Sequence, residues 1–532
     1  MNVWLVSREY AGIAEAGGVK NVACSLAESL ARLGHTVTLF IPLYGCTDLS
    51  SAEAFCCFWR NPVTVCIQGK RQVVSFARGM LSGVEIVFVC HKSFAEKKAV
   101  YTYTKEEQAA NPLHRQGEGH EDTVFLNILF QKSVVRYAVS CHNGESPDIV
   151  HCQDAPAALL PAFLQHEREL SPQMGRFFSG TKCVVTIHNA GPGYHHAFKD
   201  MAEAESFTDL PKSMLSDGQN GTCVEPFLIS ARYACMTTVS PEYAREILSG
   251  KTDTAGLSQQ FRRLGVKIIG ITNGIDFSKY EPSDTSRSLL PFSFDPGKRE
   301  LAGKYECRNL FLEKYASSES IQEKGIVQFG HISTEADPDS FAYIAYHGRV
   351  VQQKGIEVMV KACGLLLEKG LAVRFIFAGQ GSVKQEQLLA DFAVRHSGSC
   401  VYLKGYSKLL ARLSVASADF SLHPSWFEPC GLEDFIAQTF GTLPVAHATG
   451  GLCKIVDDET GYLYAPNTPE ELSSVLESLV QLQRRAGRGI FTGMISYAAR
   501  YIRETYSWDR VALDYESLYR QLKFGREPCF SS

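Results

Sequence analysis

Long apolar runs are missing from this 532-residue chain: none reaches the ~18 residues that a membrane-spanning helix needs, which excludes an integral membrane reading of that kind. An excess of charge is missing too. With 53 Lys and Arg against 57 Asp and Glu, the formal net charge is −4, too small to give the broad basic field that nucleic acid demands. No CxxC pair with zinc spacing occurs among the 17 cysteines, which are odd in number, scattered and mostly set in apolar runs, as Cys90 in VEIVFVC and Cys183 in TKCVVTI. That usage fits reduced, buried thiols rather than disulfides or structural metal. No GxGxxG follows the first strand with an acidic residue at the required distance, so nicotinamide chemistry lacks its fingerprint. Repeats of solenoid period and low-complexity tracts are absent, and the opening MNVWLVSREY has no basic leader. These absences predict a cytoplasmic enzyme with no membrane and no nucleic-acid partner.

The length suits two or three domains, and 45% hydrophobic with 21% charged residues is an ordinary globular composition. Val3 to Val6 form a short apolar run. A glycine turn, Gly17-Gly18, follows, and Val22, Leu26, Leu30 and Leu33 then recur at helical spacing up to Gly34. HTVTLFIPL returns as a second strand, completing a βαβ unit. Strand-like runs recur at 83–90, 148–152, 182–188, 235–240 and 267–272, separated by helix-compatible stretches such as 125–140 and 154–168. Residues from about 277 to 340, rich in Pro, Ser and charge, break the pattern and read as a hinge with surface insertions. Alternation resumes over 341–447, with strands at 341–349, 373–379, 400–405, 418–425 and 442–447. The pattern predicts an α/β protein with two doubly wound parallel sheets facing across a cleft.

Eight strings carry more than this. EAGGVKNV (15–22), HCQDAPAALLPAFL (151–164), VTIHNAG (185–191), TTVSPEYAREI (237–247), TNGID (272–276), GRVVQQKG (348–355), HPSWFEPCGL (423–432) and TGGL (449–452) stand in an order that resembles the bacterial glycogen synthase and plant starch synthase family. The resemblance spans nearly the whole chain, with insertions near 99–120 and 314–340. It implies a retaining glycosyltransferase with two Rossmann-like domains, the GT-B type, that moves glucose from a nucleotide sugar, ADP-glucose foremost, to the non-reducing end of an α-1,4-glucan. The implied division is an acceptor-side domain over 1–272, a nucleotide-sugar domain over 273–505, and a last helix over 506–532 crossing back to the first domain. No cofactor and no metal are implied, since the nucleotide sugar is a substrate. The doublet His195-His196 is read as structural, because adjacent loop histidines rarely chelate one ion.

Within that resemblance, Arg349 and Lys354 match the pair that binds the diphosphate, and departure of a phosphate calls for such cations. Gly17 and Gly18 precede a helix whose N-terminus presents free N–H groups to an anion. Glu428 matches the glutamate that orients the donor sugar, with Trp426, Phe427 and Pro429 beside it suggesting a shaped pocket. Gly450 and Gly451, with Thr449, match the donor-sugar turn, and Asn273 belongs to the nucleotide-sugar set. His188 matches the histidine that holds the glucose 6-hydroxyl. Asp154 matches the aspartate near the acceptor and equally suits a helix N-cap.

The chain also departs from the family pattern. Glu15 stands where lysine opens the glycine motif, with Lys20 nearby as a candidate replacement for the lost charge. Val19 replaces leucine and Asn21 aspartate, Ile229 stands where lysine is common, HNAGPGY lacks the usual Tyr-Gln, and Trp426 occupies a position often held by arginine. Two alternatives therefore stay open at this level: a retaining transferase with another nucleotide sugar or acceptor, and a glucan-binding paralogue of low activity.

Overall fold

A computed structural model describes residues 1–140, 146–318, 321, 323–334 and 337–526. The chain forms two compact units, Met1–Asn273 with Val511–Ser532, and Gly274–Arg510. Each is a sheet covered by helices. No helix among the described residues is long and apolar enough to cross a membrane.

In the first unit the strands are β1 (Asn2–Val6), β2 (Thr36–Pro42), β3 (Glu53–Ile67), β4 (Lys70–Leu81), β5 (Val84–Cys90), β6 (Ile149–Gln153), β7 (Lys182–Ile187), the two-residue pair β8 (Gln219–Asn220) and β9 (Cys223–Val224), β10 (Cys235–Thr238) and β11 (Ile268–Gly270). The sheet order is β11-β10-β7-β6-β1-β2-β5-β4-β3. β1 lies parallel between β2 and β6, and Val3 to Val6 are buried, as expected for a strand covered on both faces. The helix Val19–Arg32 connects β1 to β2, turning Val22, Leu26 and Leu30 inward.

The second unit holds β12 (Val327–Ile332), β13 (Ala342–His347), β14 (Val373–Gly379), β15 (Ser399–Lys404), β16 (Phe420–His423), β17 (Leu443–His447) and β18 (Tyr462–Tyr464), in the order β12-β15-β14-β13-β16-β17-β18. β13, at the centre, pairs in parallel with β14 and β16, so its carboxyl end and those of its neighbours open on the loops that carry the family strings.

Two expectations need correction. The sheets are not wholly parallel: β3 and β4 form a long antiparallel hairpin on the edge of the first sheet, and β12 runs antiparallel to β15 on the edge of the second. Nor is 277–340 only hinge and insertion. Ala302–Tyr315 is a helix of 14 residues, followed by β12, while 319–320, 322 and 335–336 lie outside the described residues. Pro, Ser and charge in the flanking loops hid both elements. The helix packs through Cys307, Phe311 and Leu312, and fully buried Lys304 donates to the carbonyls of Ala416, Ala418 and Phe440 and to Thr442 Oγ1.

The last helix, Trp508–Lys523, runs into the first unit from Val511 onward. Its anchor is polar. Tyr519 Oη lies 2.7 Å from His151 Nδ1, His151 Nε2 2.6 Å from Thr186 Oγ1, and Thr186 Oγ1 2.7 Å from Thr237 Oγ1, a line of buried groups from the helix across β6, β7 and β10. Burial pulls the His151 pKa down to about 3, so the ring is neutral and both nitrogens take part as one donor and one acceptor. Tyr519→Phe leaves a buried ring nitrogen without its partner. It is expected to lower stability by roughly 1–3 kcal/mol in chemical denaturation, with no change of fold by circular dichroism.

Candidate active site

In the second unit, Lys354, Glu428 and the TGGL turn come together at the carboxyl ends of β13, β16 and β17. The chain leaves β13 at His347 and turns back through Gln352–Lys354 into the helix Ile356–Glu368. Gly355 makes that turn possible: its φ is +69°, and a Cβ there would lie 1.9 Å from Pro424 O. Lys354 Nζ bonds Glu428 Oε2, which also accepts from Ser425 Oγ at 3.2 Å. Burial would raise the Glu428 carboxyl, but Lys354, Lys454 and Ser425 together hold it below its ordinary value, so the buried group is ionised. Arg349 is exposed, its Nη2 3.4 Å from Gln353 Oε1.

The two loops are fastened together. Gly451 donates its N–H to Glu428 O at 2.7 Å, so this amide faces inward rather than toward a sugar hydroxyl as expected. Its glycine identity has a steric reason, because a Cβ would sit 2.1 Å from Cys430 O. Lys454, which the sequence reading passed over, is the fastening. Its Nζ reaches Cys430 O (2.6 Å), Gly451 O (2.9 Å), Gly431 O (3.0 Å) and Asp434 Oδ1 (3.0 Å), with the Phe435 ring 4.4 Å away. Thr449 and Gly450 are buried in the same turn. A second unforeseen pair, His347 Nδ1 with Glu433 Oε2 at 2.8 Å, lies beside it. Burial opposes protonation of His347, yet the Glu433 carboxylate raises its pKa overall. A lysine just after the glycine pair and a histidine closing an apolar strand were the available signals.

In the first unit, Glu9 organises the glycine turn. It is buried, and its Oε2 accepts from Ala16 N at 3.2 Å and from Gly17 N at 2.5 Å. Gly17 therefore does not offer its amide to an anion. Gly18 does stand at the N-cap of Val19–Arg32, with no side chain capping it and open space around its Cα. Asp154, which follows β6, has φ +64°, a strained value for a non-glycine residue. Asp154 occupies the N-cap position of the helical turn Ala155–Ala157 as expected, but its side chain makes no capping bond there and accepts from His188 N at 3.3 Å. Burial pushes the Asp154 pKa up to about 7, helped by the charge of Glu9, itself raised by burial. His188 Nε2 lies 2.7 Å from Gln153 Oε1, and burial lowers its pKa to about 4. The neutral ring then carries its proton on Nε2 and presents Nδ1 as an acceptor, the form that suits a sugar hydroxyl. Asn273 is buried at the end of this unit, and its Oδ1 makes no hydrogen bond among the described residues.

The departures have structural consequences. Lys20 Nζ is 2.7 Å from Glu15 Oε2, so Lys20 neutralises Glu15 locally and does not stand in for a missing cation. Ile229 is fully buried and packs against Gly218, where an added Cβ would come within 2.5 Å of it, so this position presents an apolar side chain and no charge. The HNAGPG loop is pinned by Ala190, whose N–H donates to Tyr243 Oη at 2.9 Å and whose carbonyl lies 2.8 Å from His195 Nε2. His195 and His196 turn to different partners, Glu225 and Asn127. Trp426 does not wall the Glu428 pocket: it is 52% exposed and lines a separate groove.

Comparison with known proteins bears on the whole chain. Residues 2–263 match the family described as starch synthase catalytic domain, and residues 342–481 the one described as glycosyl transferases group 1. The chain is 29% identical over 547 residues to a glycogen synthase of Thermodesulfovibrio yellowstonii, covering 99% of each. It is 28% identical over 538 residues to glycogen synthase 2 of Geobacter sulfurreducens, covering 98% of each. The catalytic domain of starch synthase IV from Arabidopsis thaliana, solved with ADP and acarbose, has a TM-score of 0.78 at 22% identity, over 98% of this chain and 99% of that one, a likeness of fold.

The geometry generates two expectations. Because the folded state raises the Asp154 pKa from 3.8 to about 7, the folded protein binds the proton more tightly than the unfolded chain. Stability contributed by this group is therefore present at low pH and lost as pH rises from about 4 to about 7. In Asp154→Asn that part of the slope should vanish from denaturation curves taken across this range. Lys454→Met removes the cation from a buried pair and strands the Cys430, Gly431 and Gly451 carbonyls. It should cost roughly 3–5 kcal/mol, read as an earlier denaturation midpoint.

Proposed function

We propose that the chain is a glycosyltransferase of the bacterial glycogen synthase and plant starch synthase family, and that it transfers glucose from ADP-glucose to the non-reducing end of an α-1,4-glucan with retention at the anomeric carbon. The observation that carries the proposal is the buried, ionised Glu428 held against Lys354 at the strand ends of the second unit. Full-length similarity to glycogen synthases supports the choice of reaction.

Cleavage of the bond between sugar and diphosphate puts new negative charge on the departing oxygen and positive charge on the anomeric carbon. Lys354 and Arg349 supply cations for the first, and Glu428 supplies a fixed carboxylate for the second. Glu428 also accepts hydrogen bonds from donor-sugar hydroxyls. Because its backbone carbonyl is tied to Gly451 and the following carbonyls to Lys454, the carboxylate needs little reorganisation as charge develops. The departing phosphate takes the proton from the incoming glucan hydroxyl on the same face, so no second carboxylate is required. In the first unit, neutral His188 accepts from the sugar 6-hydroxyl, and Asp154, close to half ionised near neutral pH, hydrogen-bonds the acceptor.

Purified protein given ADP-glucose and glycogen should release ADP, and UDP-glucose should serve less well. Glu428→Ala and Lys354→Ala should each lower turnover by about a hundredfold or more with the circular dichroism spectrum unchanged. Failure to release nucleotide from any donor would overturn the proposal, and full activity in either variant would remove that residue from the reaction.

A further inference from the structure

Trp426 lies two residues before Glu428, and its indole belongs to another surface. Together with Gln352, Glu357 and Lys361 from the first turns of one helical stretch, and Asn467 and Glu470 from the start of the helix Pro469–Ala486, it lines a groove of about 400 Å³. We propose that this groove is a glucan-holding subsite, in which Trp426 stacks on a glucosyl ring and the surrounding polar side chains bond its hydroxyls, anchoring the acceptor polymer to the second unit away from the reacting end. The choice of an α-glucan as ligand rests on the transfer reaction proposed above.

Three observations carry the assignment. A half-exposed indole at the rim of a concave surface is a flat apolar face with polar neighbours, the arrangement that complements the C–H face and hydroxyl edge of a pyranose. The lining carries no excess of cations: Glu357 and Glu470 stand against Lys361, and Lys384, outside the lining, lies 3.2 Å from Glu357, so the groove suits a neutral polyhydroxylated chain rather than a phosphate. The floor is rigid. Asn467 is buried, donating from Nδ2 to Pro424 O at 2.9 Å and accepting from Tyr464 Oη at 2.8 Å.

The same framework separates the groove from the chemistry. Trp426 N–H donates to Gln353 O at 2.9 Å, and Gln353 Nε2 donates to Phe427 O at 3.0 Å. The backbone leading to Glu428 is thus held without help from the indole, and loss of the ring leaves the carboxylate where it is.

The test uses the full chain, with glycogen in a native gel, maltoheptaose in calorimetry, and transfer to maltotriose or glycogen. The wild type should be retarded by glycogen. Trp426→Ala should lose that retardation, weaken maltoheptaose binding by about tenfold and raise the half-saturating glycogen concentration similarly, with maltotriose turnover unchanged. Trp426→Phe should keep part of the binding, and Gln352→Ala should weaken it in the same direction. Unchanged retardation and half-saturation in Trp426→Ala would overturn the subsite, as would a wild type that glycogen does not retard. An equal loss with maltotriose would also overturn it by placing Trp426 in the reaction site. Should the protein transfer no glucose at all, the gel and the calorimeter still decide the subsite on binding alone, independently of the proposed reaction.

Discussion

A buried carboxylate stays ionised only beside a cation, and the second unit is organised around that requirement. Glu428 keeps its charge because Lys354 is brought to it by a turn that only glycine at 355 allows. Lys454 meets the parallel demand of the backbone. Two loops that leave neighbouring strands aim carbonyls at one point, and a single ammonium with Asp434 closes the gap among them. The strings at the ends of β16 and β17 thus form one body rather than two facing loops, which fixes the Glu428 carboxylate and the TGGL turn relative to each other.

Two of the groups at the strand ends of the first unit carry less charge than their type suggests. Burial pushes Asp154 up to about 7 and His188 down to about 4, so near neutral pH the ring is neutral and the carboxyl only partly ionised. The strained backbone at Asp154 and the Glu9 grip on Gly17 fit a surface shaped for hydroxyls more than for an anion. The loss of positive charge at Glu15 and Ile229 sits within the same logic, since one is neutralised by Lys20 and the other is packed in the core.

Much of this was legible in the chain. Central strands such as β1, β13 and β14 announced themselves as short apolar runs, because strands covered on both faces need no alternation. The edges did not: β3, β4 and β12 are partly exposed, and their polar residues resemble loop. In the site, Glu428, Lys354 and the glycines stood out through the order of motifs. Lys454, Glu9 and the His347–Glu433 pair did not, for each acts through contacts between segments remote in sequence or through backbone carbonyls that have no letter in it. The misreadings of Gly17, Gly451 and Trp426 share one cause, since composition names a group but not the direction it faces.

The line of hydrogen bonds from Tyr519 through His151 to Thr237 orders biosynthesis as well as structure. Residues 1–273 leave the ribosome well before the helix that completes their sheet has been translated, and the second unit is whole before the first. During that interval the face of β6 prepared for Tyr515 and Tyr519 must be shielded by other means. Translation of the last helix, more than emergence of the leading half, is therefore the moment at which the first unit can settle.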